Sequence, residues 1–119
     1  MSLTLLIVDD QVEFRRFVGV LLASAGFDVM GEAGDGEQAL AAVRRLRPDV
    51  VLLDVQLPGI DGFEVARRLA SVSDAPRVVL TSAREASDYG ARLADAPVHG
   101  FIAKQDLSVA ALSALVAVA

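Results

Sequence analysis

The chain has 119 residues, 54% of them hydrophobic and 23% charged, with no cysteine, one histidine and a formal net charge of −5 at pH 7. That length fits one domain able to bury a core without a disulfide or metal staple, and the apolar content excludes a disordered chain. The cysteine and histidine counts exclude a disulfide framework, thiolate zinc sites and cysteine nucleophiles, while the acidic balance argues against direct nucleic-acid binding by charge. No apolar run approaches the ~18 residues needed to span a bilayer. The N-terminus lacks the basic start and long apolar centre of a signal peptide. A soluble cytoplasmic domain without membrane association is expected.

Thr4–Val8 opens the chain as a short apolar run and leads into Asp9-Asp10. Phe14, Phe17, Val18, Leu21 and Ala25 then recur at helical spacing, and Gly26 marks a stop. Phe27–Ala33 reads as the second strand and Asp35-Gly36 as a turn. Leu40, Val43 and Leu46 form the stripe of a second helix that Pro48 ends. The third strand is expected over Asp49–Leu53, followed by Asp54. Ala66, Leu69 and Ala70 lie in a third helix, and Arg77–Leu80 is a fourth strand running into Thr81. Tyr89, Leu93 and Ala94 mark a fourth helix, His99–Ala103 a fifth strand ahead of Lys104. Leu107, Ala111, Leu115 and Val118 mark the last helix. Nearly continuous apolar strands suit a parallel sheet buried on both faces. Five β–α units in strict alternation give a three-layer α/β fold with right-handed crossovers.

In such a sheet Asp9, Asp10, Asp54, Thr81 and Lys104 emerge at one edge, at the carboxyl ends of the strands, where open α/β sheets bind ligands. Each alone has an ordinary explanation. An Asp at a strand end forms turns or caps helices, a Thr fills a strand, and a Lys is a solvated cation. Together they do not. Carboxylates about 4 Å apart repel by roughly 4 kcal/mol per pair at an effective dielectric near 20, so the cluster calls for a counter-ion or a raised pKa. A hard divalent cation answers that need, and Mg²⁺ suits best because it accepts one or two carboxylates and keeps waters and phosphate oxygens. Among 11 basic residues Lys104 is the single lysine, a compact point charge amid guanidinium groups. Pro58-Gly59 and Asp61-Gly62 make a turn-rich loop after Asp54, and the small side chains of Thr81-Ser82-Ala83 leave room for a tetrahedral anion. His99 begins a strand rather than ending one, which gives it a structural role.

Over essentially its whole length the chain resembles the receiver domains of two-component response regulators. The resemblance rests on Leu6-Ile7-Val8-Asp9-Asp10, on Asp54-Val55-Gln56-Leu57-Pro58-Gly59-Ile60-Asp61-Gly62, on Val79-Leu80-Thr81-Ser82-Ala83 and on Gly100-Phe101-Ile102-Ala103-Lys104. It implies a flavodoxin-like (βα)5 fold with strand order 2-1-3-4-5, and residues 1–119 forming one receiver domain with no output domain. It implies that Asp54 accepts a phosphoryl group from a sensor histidine kinase. Asp9, Asp10, Asp54 and the backbone carbonyl of Gln56 would hold Mg²⁺. Thr81 would hydrogen-bond a phosphoryl oxygen, Lys104 would pair with the phosphoryl group, and Phe101 would be a switch aromatic.

This chain departs from the pattern at Gln105, where many members carry Pro; a cis peptide there is disfavoured, since a non-Pro cis bond costs about 3–4 kcal/mol, and the sequence leaves the geometry of that peptide open. Pro97 replaces a frequent Gly, and Gln56 and Ala83 flank the phosphoryl position. An aspartyl phosphohydrolase is the enzymatic competitor, but no second acid stands two residues past Asp10 or Asp54, and no cap domain is present. A flavodoxin proper would need a phosphate-cradling loop where Asp9-Asp10 stands. The remaining alternative is a phosphorylation-independent interaction or dimerisation module of the same fold. The apolar Leu112–Ala119 suggests contact with another domain or a homodimer partner. Gly31–Gly36 is similar to receivers joined to helix-turn-helix DNA-binding domains.

Overall fold

The structure, a computed structural model, describes residues 2–116. Its elements are β1 (Thr4–Val8), α1 (Val12–Ser24), β2 (Asp28–Ala33), α2 (Gly36–Leu46), β3 (Val50–Asp54), α3 (Gly62–Leu69), β4 (Arg77–Ser82), α4 (Ala91–Ala94), β5 (Gly100–Ala103) and α5 (Val109–Val116). The five strands form one sheet in the order β2-β1-β3-β4-β5, and every neighbouring pair is parallel. The expected flavodoxin-like architecture is therefore present.

Alternate strand residues feed two cores, which explains why the strands read as unbroken apolar runs. Leu6, Val8, Val51, Leu53 and Leu80 pack with Ala39, Leu40 and Val43 of α2 and Val65, Ala66 and Leu69 of α3. Leu5, Ile7, Val50, Leu52 and Val79 pack with Val18 and Leu22 of α1 and Leu112 and Val116 of α5. A leucine buried to this depth contributes roughly 1.5–3 kcal/mol relative to exposure.

Local chemistry starts the helices beside the sheet's carboxyl edge. The Asp35 side chain accepts from the Gln38 amide at 2.8 Å, so the expected turn is an N-cap. Asp61 caps α3 in the same way, accepting from the Glu64 amide at 3.0 Å. Gly62 is required for a different reason: a Cβ there would lie 2.4 Å from the Asp54 carbonyl oxygen. Only glycine lets the start of α3 sit against the backbone of Asp54.

Several expectations are corrected. The buried row of α1 is Val18 and Leu22 with Phe14 half-buried, an i, i+4 series; Phe17 is 68% exposed, and Ala25 lies past the helix as its C-cap. α1 packs along a single sheet face, so its contact stripe is narrower than the broad apolar spread of the sequence. β3 starts one residue later than expected, leaving Asp49 outside it, and β3 and β4 both run further at their carboxyl ends, because Asp54 pairs with Thr81 and the Val55 amide still donates to the Thr81 carbonyl at 2.9 Å. The fourth helix is only four residues long, preceded by a 3₁₀ turn at Ala86–Asp88. Gly90, at φ 54, separates the two. Tyr89 and Leu93 pack on the core as expected, whereas Ala94 is exposed. Leu107 precedes α5 as the cap of a second 3₁₀ turn, and Val118 lies outside the described residues. No helix among the described residues is long and apolar enough to cross a membrane.

Candidate functional site

Asp9 follows β1, Asp54 ends β3, Thr81 sits beside it on β4, and Lys104 follows β5. The topology thus brings together the residues singled out from sequence. Asp9, Asp54 and Thr81 are buried, at 0%, 3% and 1% exposure, while Asp10 is exposed. One carboxylate oxygen from each of Asp9, Asp10 and Asp54 lies within 4.8 Å of the others. Backbone amides aim two of these groups. Gln11 donates to Asp9 Oδ1 at 2.8 Å, and Gln56 donates to Asp54 Oδ1 at 3.2 Å.

Lys104 is the cation of the site. Its Nζ lies 2.7 Å from Asp9 Oδ2 and 3.5 Å from Asp54 Oδ2. The closer contact is an ion pair by distance. The ammonium also rides 4.3 Å from the centroid of the Phe14 ring, a cation–π contact the sequence did not reveal. Burial works against the charged lysine, but Asp9 and Asp54 outweigh it and hold its pKa above the usual value.

Burial, and then the charge of Asp9, push the Asp54 carboxyl up from 3.8 to about 6, against the pull of Lys104 and the Gln56 amide. Asp54 is thus ionised at neutral pH yet held at a cost, which favours any partner that spreads its charge. Three hard carboxylate oxygens around one point are a donor set for a divalent cation. The Thr81 hydroxyl adds a second unmet demand. It is buried and has no hydrogen-bond partner, and an orphaned polar group of this kind costs about 1–3 kcal/mol.

The surroundings explain several other residues. Ser82, fully buried, pairs its hydroxyl with the Tyr89 hydroxyl at 2.6 Å. Tyr89 stands edge-on between Phe63 and Phe101, with ring centroids 5.3 and 6.0 Å away. Phe101 is therefore half-buried in an aromatic row. No peptide among the described residues is cis, so Lys104-Gln105 is trans. The Gln105 side chain instead donates to Glu85 of the loop after β4. His99 accepts the Val78 amide at 3.2 Å on Nδ1, a structural role at the opposite end of the strands. Gln56 and Ala83 are exposed at the rim. Sequence reasoning missed the contact of Phe14 with Lys104 and the Ser82–Tyr89 bond, because the first joins residues distant in the chain and the second depends on how the loop after β4 folds back.

Comparison with known proteins agrees with this geometry. Residues 5–116 match the family described as the response regulator receiver domain. The DNA-binding response regulator MtrA of Mycolicibacterium paratuberculosis is 45% identical over 84 residues, 71% of this chain and 37% of that protein. The chain thus aligns with little more than a third of that relative. A two-component response regulator of the LuxR family from Aurantimonas sp. SI85-9A1 superposes with a TM-score of 0.88 at 27% identity, covering 98% of this chain and 86% of that one. A chain of the CheX-CheY-BeF3-Mg+2 complex from Borrelia burgdorferi superposes with a TM-score of 0.83 at 27% identity, covering 96% and 86%.

Proposed function

This chain belongs to the response regulator receiver domain family, and on that premise we propose that it is a phosphoacceptor switch whose acceptor is Asp54. The observation that carries the reading is the pairing of Asp54 with a buried, unpartnered Thr81 hydroxyl on the adjacent strand. A phosphoryl group on Asp54 supplies that hydroxyl with an acceptor. In the proposed step an Asp54 carboxylate oxygen forms a bond to phosphorus as the bond to the donor breaks, the donor being a phosphohistidine on a sensor histidine kinase. The product is an acyl phosphate with close to two negative charges.

Phosphoryl transfer asks for positioning and charge neutralisation more than covalent chemistry from the protein. Lys104 is placed to supply one neutralising charge and to leave Asp9 for a phosphoryl oxygen. Asp9, Asp10, Asp54 and the Gln56 carbonyl would hold Mg²⁺, which when bound neutralises charge on the transferring oxygens. The Borrelia burgdorferi complex, whose name includes BeF3 and Mg+2, supports that assignment by likeness. Thr81 then donates a charge-assisted hydrogen bond, and its loop follows. The output is a population shift between two conformations of one fold, with Phe101 as the aromatic that reports it. The domain modifies itself rather than turning over a substrate.

The chain is proposed as a single receiver domain over residues 1–119, cytoplasmic, acting on an output domain, on a homodimer partner or on transcription. The DNA-binding name of the MtrA relative supports the last of these. The test is intact-protein mass after incubation with acetyl phosphate and Mg²⁺, beside Asp54→Asn. One phosphoryl gain in the wild type alone is expected. A gain in Asp54→Asn moves the acceptor elsewhere. No gain in a wild type that binds Mg²⁺ hands the reading to a phosphorylation-independent interaction module.

A further inference from the structure

Arg15 lies on the first turns of α1 with its side chain 16% exposed. Its Nε is 2.8 Å from Glu32 Oε1, and its Nη1 donates to the main-chain carbonyl of Asp9. Glu32 stands on β2 opposite Ile7 of β1, and the Asp9 amide donates to the Ala33 carbonyl at 3.0 Å. One guanidinium therefore joins α1, β2 and the turn that follows β1.

The carbonyl it grips belongs to the peptide between Asp9 and Asp10. Rotation of that peptide sets where the Asp10 carboxylate lies relative to that of Asp9. Asp9 is buried and held by the Gln11 amide. Asp10 is exposed, so its own packing does little to orient it. An ammonium in place of the guanidinium could meet the carbonyl or the carboxylate, but lacks the planar fork that meets both. Charge alone does not account for the arrangement. A cation beside a divalent-ion site repels the ion, and Arg15 is paired with Glu32 at 2.8 Å, which offsets part of that repulsion.

We infer that Arg15, oriented by Glu32, is a positioning residue for divalent-cation binding, fixing the Asp9-Asp10 peptide so that both carboxylates face one ion. The inference rests on reading Asp9, Asp10 and Asp54 as a cation site. It is tested by titrating Mg²⁺ calorimetrically into the wild type, Arg15→Lys, Glu32→Gln and the double variant, with melting curves recorded without Mg²⁺. Loss of a group that orients a metal ligand weakens affinity by roughly tenfold or more, and that rise in Kd is expected for Arg15→Lys. The Mg²⁺ concentration giving half-maximal labelling by acetyl phosphate rises in step, while the rate at saturating Mg²⁺ stays near that of the wild type. The double variant binds no worse than Arg15→Lys, because the two residues act as one unit. A lowered Tm with an unchanged Kd overturns the inference, as does a lower rate at saturation with no change in Kd. A wild type that takes up no Mg²⁺ defeats the cation site itself, whereas a wild type that binds beside an equally good Arg15→Lys defeats this inference alone.

Discussion

The carboxyl edge of β3 and β4 and the crossover that follows it differ sharply in how they are held. Leu53, Asp54, Leu80, Thr81 and Ser82 are all at most 3% exposed. From Ala83 to His99 no residue is buried; Tyr89, Leu93, Ala96 and Val98 are half-buried. That stretch is held instead by a few polar and aromatic contacts: the Ser82–Tyr89 bond, the Phe63–Tyr89–Phe101 row, and Arg92, which lies 2.7 Å from Asp61 and 4.5 Å from the Phe63 ring centroid. Segments with few buried apolar contacts open at a lower free energy than core strands. The proposed chemistry thus sits on a rigid, buried part of the fold, and the adjoining crossover is more loosely held.

The contrast is broken most directly by cutting into each region. Leu53→Ala is expected to lose about 3 kcal/mol in chemical denaturation, from transfer and cavity terms. Gly62→Ala is expected to lose about 2 kcal/mol, because its Cβ meets backbone that has no rotamer to give; it should also impair labelling of Asp54, whose carbonyl is the atom struck. Leu93→Ala is expected to cost only about 1 kcal/mol, since its side chain is half-exposed already. Equal losses at Leu53 and Leu93 would erase the distinction between the regions.

Removing the Asp54 charge has an effect of the opposite sign. Asp54 has a folded-state pKa of about 6, above its usual 3.8, because of burial and Asp9. Its ionisation therefore works against folding: stability is greatest where the carboxyl is protonated and falls as pH rises from about 4 through about 6. Asp54→Asn, without Mg²⁺, should then be more stable than the wild type at pH 7.5. That advantage should vanish near pH 4. A destabilised variant at pH 7.5 would mean that the attraction of Lys104 outweighs burial and Asp9 together.

Much of the fold was legible because a doubly covered parallel sheet writes itself as apolar runs such as Val50–Leu53, and because its topology sends every strand end to one edge. The cluster of Asp9, Asp10, Asp54, Thr81 and Lys104 followed from that alone. What stayed hidden depends on which side of a helix meets the sheet, or on register between strands. Phe17 and Phe14 differ by less than one helical turn, yet one is in solvent and the other lies beneath Lys104. The partnership of Arg15 with Glu32 exists only once β1 and β2 are aligned. The weak α4 was misjudged because Tyr89 and Leu93 keep helical spacing across Gly90, where the backbone turns away from the helix.

Tyr89 is the single tyrosine of a chain without tryptophan. Its phenol is bonded to Ser82, the neighbour of Thr81, and its ring touches Phe101. The tyrosine absorption and emission bands of this protein, at longer wavelength than those of its five phenylalanines, consequently belong to one side chain, seated between β4 and the crossover. Under the proposed function, stopped-flow fluorescence of the unlabelled protein would time any movement of the crossover against phosphorylation of Asp54, without an engineered dye.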